Sequence, residues 1–292
     1  MGDPTEFRAR VNGVELAYFE WGRAVRGREA SILLVHATGF HARTWDQVIR
    51  RLGGRHVIAV DQRGHGRSQK VAIEHWRSMG DDLTELVRGL DLKDAVGVGH
   101  SMGGHSITEA AAACSGAFQR LLLIDPVIVS PGDYRKGGWT VEQMGGEIHP
   151  TAKRKSRFTS PTAMYERFKE RPPYARFDRA ALRDYCEYGL LPADDGNGIL
   201  LACSPETEAS VYMTSRSNPG VYDSIRILEI PVLILRARER SANDDVMDFS
   251  SSPTWPGLVH EFRNAREVYL PDHSHFLPME APELVASYIS KP

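Results

Sequence analysis

The chain has 292 residues, 41% of them hydrophobic and 25% charged, with a formal net charge of −2, which fits a soluble globular protein with a large core. The near-neutral balance excludes an electrostatic footprint for nucleic acid or an anionic membrane, and no apolar run approaches the length of a membrane span. Cys114, Cys186 and Cys203 show no C-x-x-C spacing, which argues against a disulfide framework or zinc site and for a reducing compartment; with no apolar segment near the N-terminus, the expected location is cytoplasmic.

Residues 7–11 and 14–20 alternate apolar and polar side chains across Asn12-Gly13, the pattern of a β-hairpin with a type I′ turn. Ser31-Ile32-Leu33-Leu34-Val35 is a continuous apolar run, as in a strand buried on both faces. It ends in His36-Ala37-Thr38-Gly39-Phe40. Residues 45–52 are helix-length, 56–60 read as the next strand, and Asp61-Gln62-Arg63-Gly64-His65-Gly66-Arg67-Ser68 as a turn. Helical periodicity over 82–90 precedes a strand at 94–98, an alanine-rich helix at 106–114 and another buried strand at 119–124. Strands alternating with helices predict a mostly parallel, doubly wound α/β sheet with right-handed crossovers. Ligands of such sheets sit beyond the carboxyl ends of the strands, and His36, Asp61, Ser101 and Asp125 each fall just past such an end.

The rhythm breaks between 127 and 229, where no buried-strand run occurs and 161–170 and 179–190 look helical. The expectation is a helical cap (127–229) inserted after the sixth strand, over the active edge of a core made of 1–126 and 230–292. Trp139, Met144, Tyr165, Phe168, Tyr185, Tyr188 and Tyr212 are candidates to line a pocket there, most of them better suited to the cap's own core. The run Lys153-Arg154-Lys155-Ser156-Arg157 reads as a solvated face. The sheet resumes at 231–235, followed by a helix around 255–262, a strand at 267–270, the loop Pro271-Asp272-His273-Ser274-His275 and a last helix over 282–289, with Pro282 near its first position.

Gly99-His100-Ser101-Met102-Gly103, between a strand and a helix-prone segment, is a G-x-S-x-G nucleophile elbow: a sharp turn that pushes the serine hydroxyl out of the sheet. Such a turn crowds the positions two before and two after the serine, so both must lack a side chain. Serine is a weak nucleophile and needs a base within hydrogen-bond reach, itself oriented by a third group. His275, leading through Phe276-Leu277-Pro278 into the last helix, is the favoured base and His273 its rival. An H-x-H metal pair is disfavoured, because no Glu-x-x-His helix or carboxylate triplet accompanies it. Gly97-x-Gly99 lacks the third glycine of a dinucleotide fingerprint, and the glycines after Asp61 lack the Gly-Lys-Ser/Thr of a phosphate loop. No cofactor and no metal are expected. His36 is read as holding the loop after it, Asp61 and Arg63 as bracing turns, and His100 as a packed neighbour.

Taken together, His36 with its loop, Asp61-x-Arg63-Gly64-x-Gly66-x-Ser68, Gly99-x-Ser101-x-Gly103 and His275-Phe276-x-Pro278-x-Glu280 resemble the α/β-hydrolase superfamily, in its branch with a helical cap. The resemblance covers nearly the whole core and implies the α/β-hydrolase fold. It implies Ser101 as nucleophile, His275 as base and the backbone amides of Thr38 and Met102 as the oxyanion hole. Ala37 stands where these proteins usually carry glycine, a departure expected to shift that loop slightly. Their usual acid follows the strand equivalent to 232–235 in a Gly-x-x-Asp pattern, but this chain has Arg236-Ala237-Arg238-Glu239-Arg240 there. Asp125, where some cap-bearing relatives place their acid, is preferred, since a strand end orients an imidazole better than a long loop. Asp248 is the alternative, and Glu239, Asp244 and Asp245 are weaker ones; an Asp-Pro at 125–126 also suits the plain start of a linker.

The expected activity is a cofactor-free serine hydrolase (carboxylesterase type) acting on a small-molecule ester through an acyl-enzyme, as a monomer or homodimer with no nucleic-acid or membrane partner. The fold also hosts carbon–carbon bond hydrolases, lactonases, cofactor-free perhydrolases and non-catalytic ligand-binding proteins. Epoxide hydrolases and dehalogenases of this shape need a carboxylate nucleophile, so a serine at 101 disfavours them.

Overall fold

A computed structural model of the chain describes residues 2–138, 149–193, 196, 198–241 and 250–291. The strands β1 (Thr5–Val11) and β2 (Val14–Trp21) form the hairpin, Val11 opposite Val14. Asn12 and Gly13 have φ of 43° and 78°, the two left-handed residues a type I′ turn requires. Next come β3 (Ile32–Val35), α1 (Asp46–Ile49), β4 (Val57–Val60), α2 (Arg77–Gly89), β5 (Ala95–His100), α3 (Met102–Ala113) and β6 (Phe118–Ile124).

The chain then leaves the sheet for α4 (Pro131–Arg135), β7 (Arg157–Phe158), α5 (Pro161–Phe168), α6 (Arg179–Tyr188), β8 (Leu190–Pro192), β9 (Ile199–Leu201), α7 (Pro205–Met213) and α8 (Val221–Ile227). Ser130, Ser160 and Ser204 each cap a helix whose first residue is proline, their side chains accepting from Asp133 N, Ala163 N and Thr207 N. The hydroxyl satisfies an orphan amide and the fixed φ of proline suits the first turn. The stretch departs from the helical insertion that the sequence predicts: β7, β9 and β8 pair antiparallel in a small sheet. Strands of two or three residues are too short to show a period.

The chain returns as β10 (Val232–Ala237), β11 (Ala265–Leu270), α9 (Leu277–Glu280) and α10 (Pro282–Ser290). The helix expected near 255–262 is a single 3-10 turn, Leu258–Glu261. The large sheet has the order β1-β2-β4-β3-β5-β6-β10-β11, parallel from β4 onward.

Alternate residues of β3 and β4 face opposite sides, which is why their sequences are apolar throughout. Leu33, Val35, Ile58 and Val60 join the layer containing α2 and α3. Ile32, Leu34, Val57 and Ala59 join the layer containing α1 and α10. Each such Val, Leu or Ile side chain contributes roughly 1.5–3 kcal/mol by leaving water. The insertion is anchored at both ends in the first layer, through Ile128 and Tyr134 and again through Val221, Tyr222 and Ile225. Its middle forms a third cluster in which Met164, Leu182 and Tyr185 pack on Ala37, Phe40, Phe276 and Met279. Those four lie in the loops at the carboxyl ends of the strands or just beyond, so the insertion packs against that edge. Among the described residues no helix is long and apolar enough to cross a membrane.

Candidate active site

Ser101 stands between β5 and α3 with φ 57° and ψ −119°, a backbone state costing on the order of 1–3 kcal/mol for a residue with a Cβ. Close packing holds it there. A Cβ on Gly103 would lie 2.6 Å from the carbonyl oxygen of His36 and closer still to that of Val35. One on Gly99 would lie 2.7 Å from the Cα of Gly104. The elbow is pinned further by Ser101 N donating to Ile124 O at 3.0 Å and Val127 N donating to Ser101 O at 3.1 Å.

His275 Nε2 lies 3.0 Å from Ser101 Oγ and His275 Nδ1 lies 2.6 Å from Asp125 Oδ2. A carboxylate beside Nδ1 assigns the proton to that nitrogen and leaves Nε2 to accept from the serine. Asp125 is fully buried. Its Oδ1 accepts from Ala237 N at 3.0 Å, Ser252 Oγ at 2.5 Å and Thr254 Oγ1 at 3.2 Å, and its own amide donates to Leu235 O at 2.7 Å. The end of β10 thus holds Asp125 through the amide of Ala237.

Neither of the other described candidates reaches the site. His273 turns to Glu280, with Nδ1 3.6 Å from its carboxylate, and the exposed Glu239 pairs with Arg236 at 2.6 Å. Asp244, Asp245 and Asp248 lie outside the described residues, as do Trp139 and Met144.

The loop after β3 comes against the elbow: Thr38 Oγ1 donates to Met102 Sδ at 3.6 Å, so the residues carrying the two candidate oxyanion amides touch. His36 fixes this loop in one tautomer. Its Nδ1 donates to Ala37 O at 2.8 Å while Nε2 accepts from Gln62 N at 3.0 Å. Burial holds its ring well below the usual imidazole range, with His65 pushing the same way. Asp61 ties the following turn by accepting from Ala42 N at 2.6 Å and Arg67 N at 2.7 Å. Arg63 braces it through Asp82 at 2.5 Å.

His100 has more contact with the site than a packed neighbour needs. Its Nε2 donates to the carbonyl of His275 at 2.7 Å, and burial, then the nearby His275, holds its ring neutral, well below the usual range. The Lys153–Arg157 run is not a solvated face throughout: Arg154 turns inward, pairs with Glu208, and donates to Tyr174 Oη at 3.3 Å and Tyr185 Oη at 3.1 Å.

Ser101 and His275 open onto a cavity of about 440 Å³ whose other walls include Thr38, Phe40, Trp76, Val127, Tyr212 and Phe276. Of the aromatic candidates, Tyr212 lines it, whereas Phe168 and Tyr185 belong to the insertion's core, with Tyr165 packed against it. Tyr188 lies under the Arg43 guanidinium, 3.7 Å from ring centre to Cζ. The sequence does not point to Trp76, nor to Ser252 and Thr254, whose hydroxyls donate to the Asp125 carboxylate. They sit in irregular polar segments with no periodicity to mark them, though the run Ser250-Ser251-Ser252-Pro253-Thr254 is dense in hydroxyls.

Known proteins offer a comparison for this geometry. A non-heme haloperoxidase of Rhodococcus erythropolis is 25% identical over 278 residues, 92% of either chain. The esterase YbfF of Escherichia coli is 31% identical over 104 residues, 35% of this chain and 40% of its own. In fold, the crystal structure of E-2-(acetamidomethylene)succinate hydrolase superposes with a TM-score of 0.73 at 22% identity, covering 98% of both chains; at that identity the likeness speaks for the fold alone. The sequence profile of the alpha/beta hydrolase family matches residues 32–288, from the first core strand to the last helix and through every residue of the Ser101 constellation, and the chain belongs to that family.

Proposed function

We propose that the protein is a serine hydrolase that cleaves carboxylic esters through an acyl-enzyme, with residues 127–229 as its cap. The observation that carries this reading is the continuous chain from Ser101 Oγ through His275 to the buried Asp125, at 3.0 and 2.6 Å, with Ser101 and His275 lining a mostly apolar cavity. His275 Nε2 takes the hydroxyl proton as Oγ adds to the ester carbonyl. The amides of Thr38 and Met102 receive the negative oxygen, a contribution of roughly 3–4 kcal/mol per donor in comparable sites. Asp125 keeps Nδ1 protonated and stabilises the imidazolium without itself taking the proton. His275 then returns its proton to the leaving alcohol. Water, deprotonated by the same ring, releases the acid and restores the serine.

The test is hydrolysis of short p-nitrophenyl esters together with labelling by a fluorophosphonate. Ser101→Ala should lose on the order of 10⁵-fold or more in kcat, as expected where the nucleophile and base act as a unit. The label should map to Ser101. Undiminished turnover in Ser101→Ala, or no label at that serine, removes the proposal.

A second reading is favoured by the haloperoxidase similarity spanning 92% of both chains. In perhydrolysis, hydrogen peroxide replaces water against the acyl-enzyme and leaves as a peracid, with the same serine, histidine and acid. Partitioning of the acyl group between water and added peroxide separates the two.

A further inference from the structure

Among the described residues, the lining of the cavity beside Ser101 has a charge asymmetry that ester cleavage alone does not require. Phe40, Trp76, Val127 and Val129 give it apolar walls, yet Arg216 and Arg240 also line it. Among its described lining residues there is no aspartate or glutamate. Arg216 follows α7 in the insertion and Arg240 follows β10 in the core, so the two cations come from separate parts of the chain onto one cavity. Ser215 lies next to the first of them, and Ser251 and Ser252 add hydroxyls to the same lining.

A carboxylate entering an apolar cavity loses its hydration, and the loss is offset only where cations and donors receive it. Arginine suits this task. Its guanidinium carries five N–H donors, so one engaged within the fold keeps others for a ligand. Arg216 also feels the charge of Asp133, but that carboxylate is bound chiefly by Lys136 and Ser130.

Resting on the serine-hydrolase reading, we propose that the natural substrate is an ester bearing a second, ionised carboxylate, which Arg216 and Arg240 receive while Ser101 attacks the ester carbonyl. Cleavage yields an alcohol and an acid, at least one of which retains that carboxylate. The cations select the substrate and take no part in bond breaking.

The experiment compares two matched pairs on the intact protein. Mono-p-nitrophenyl glutarate against its methyl ester places the charge on the acyl side, and 4-acetoxybenzoate against its methyl ester places it on the alcohol side. The expected result is a preference of at least about tenfold in kcat/KM for the anionic member of one pair, carried by KM. That preference should shrink about tenfold in Arg216→Gln/Arg240→Gln, each single variant giving part of the change. A wild-type preference for the neutral ester in both pairs, or a preference unmoved in the double variant, overturns the proposal. Failure to turn over any of the four esters also overturns it; fluorophosphonate labelling of Ser101 then tells whether the hydrolase reading survives or falls with it.

Discussion

The strand-end loops of the core and the insertion above them hold their polar groups in different ways. In the core, backbone contacts hold the candidate residues, with hydroxyls added at one of them: Asp125 accepts from the amide of Ala237 as well as from Ser252 and Thr254, the amide of His275 donates to Ser250 O, and that of Ser101 to Ile124 O. In the insertion, the central polar knot is built from side chains, with Arg154 meeting Glu208, Tyr174 and Tyr185. Backbone-held groups keep their geometry when neighbouring side chains change, whereas a side-chain knot stands or falls as a unit. The proposed chemistry therefore rests on the part whose geometry depends least on neighbouring side chains.

The sharpest way to break this contrast is to change the acid. Asp125→Asn keeps the volume but allows the wrong imidazole tautomer, and kcat should drop about 10⁴-fold with KM little changed. Retained activity would place the orienting group elsewhere and detach the chemistry from the strand ends.

Next in size is the knot. Burial raises the Glu208 carboxyl above its ordinary pKa and Arg154 pulls it back. Glu208→Ala leaves the Arg154 charge poorly matched and should cost on the order of 3 kcal/mol in urea unfolding. The Glu208 carboxyl packs on Gly39, where an added Cβ would lie 2.8 Å from its Cδ. Amide exchange at residues 39 and 40 should therefore quicken, while the Ser101–His275 chemistry is impaired less than in the Asp125 variant.

A third test lies where the insertion's tail meets α3. Burial pushes Glu109 up to about 7, against the pull of Asn218 and Arg77. The native carboxyl thus keeps a proton that the unfolded chain, near the ordinary value of 4.5, has already released. Stability from this group is lost as pH rises from about 4.5 to about 7 and falls no further above that. Glu109→Gln should be the more stable protein at pH 8, by on the order of 3 kcal/mol, with no advantage at pH 4. The nearby His105 is held down to about 4 by burial and titrates outside most of that window.

The smallest effect concerns His100, whose ring donates to the His275 carbonyl and is expected to position that residue. His100→Ala should lower kcat about tenfold by loosening the imidazole's aim, leaving KM unchanged. A rise in KM with constant kcat would instead assign His100 to the cavity wall.

Local sequence decided a great deal. Continuous apolar runs marked the inner strands, because a strand covered on both faces has no polar side to display. Gly99 and Gly103 marked the elbow, because no side chain fits where their Cβ atoms would fall. The caps Ser130, Ser160 and Ser204, each before a proline, mark three of the insertion's helices for the same kind of local reason. Packing decided the rest. The strand end before residue 125 makes Asp125 the preferred partner of an imidazole 150 positions later but leaves Asp248 as an alternative, and a basic run at 153–157 does not announce that one of its arginines turns inward. Such contacts depend on which loops are brought within about 3 Å of one another once the sheet has formed, and that distance is a property of the whole fold rather than of any segment in it.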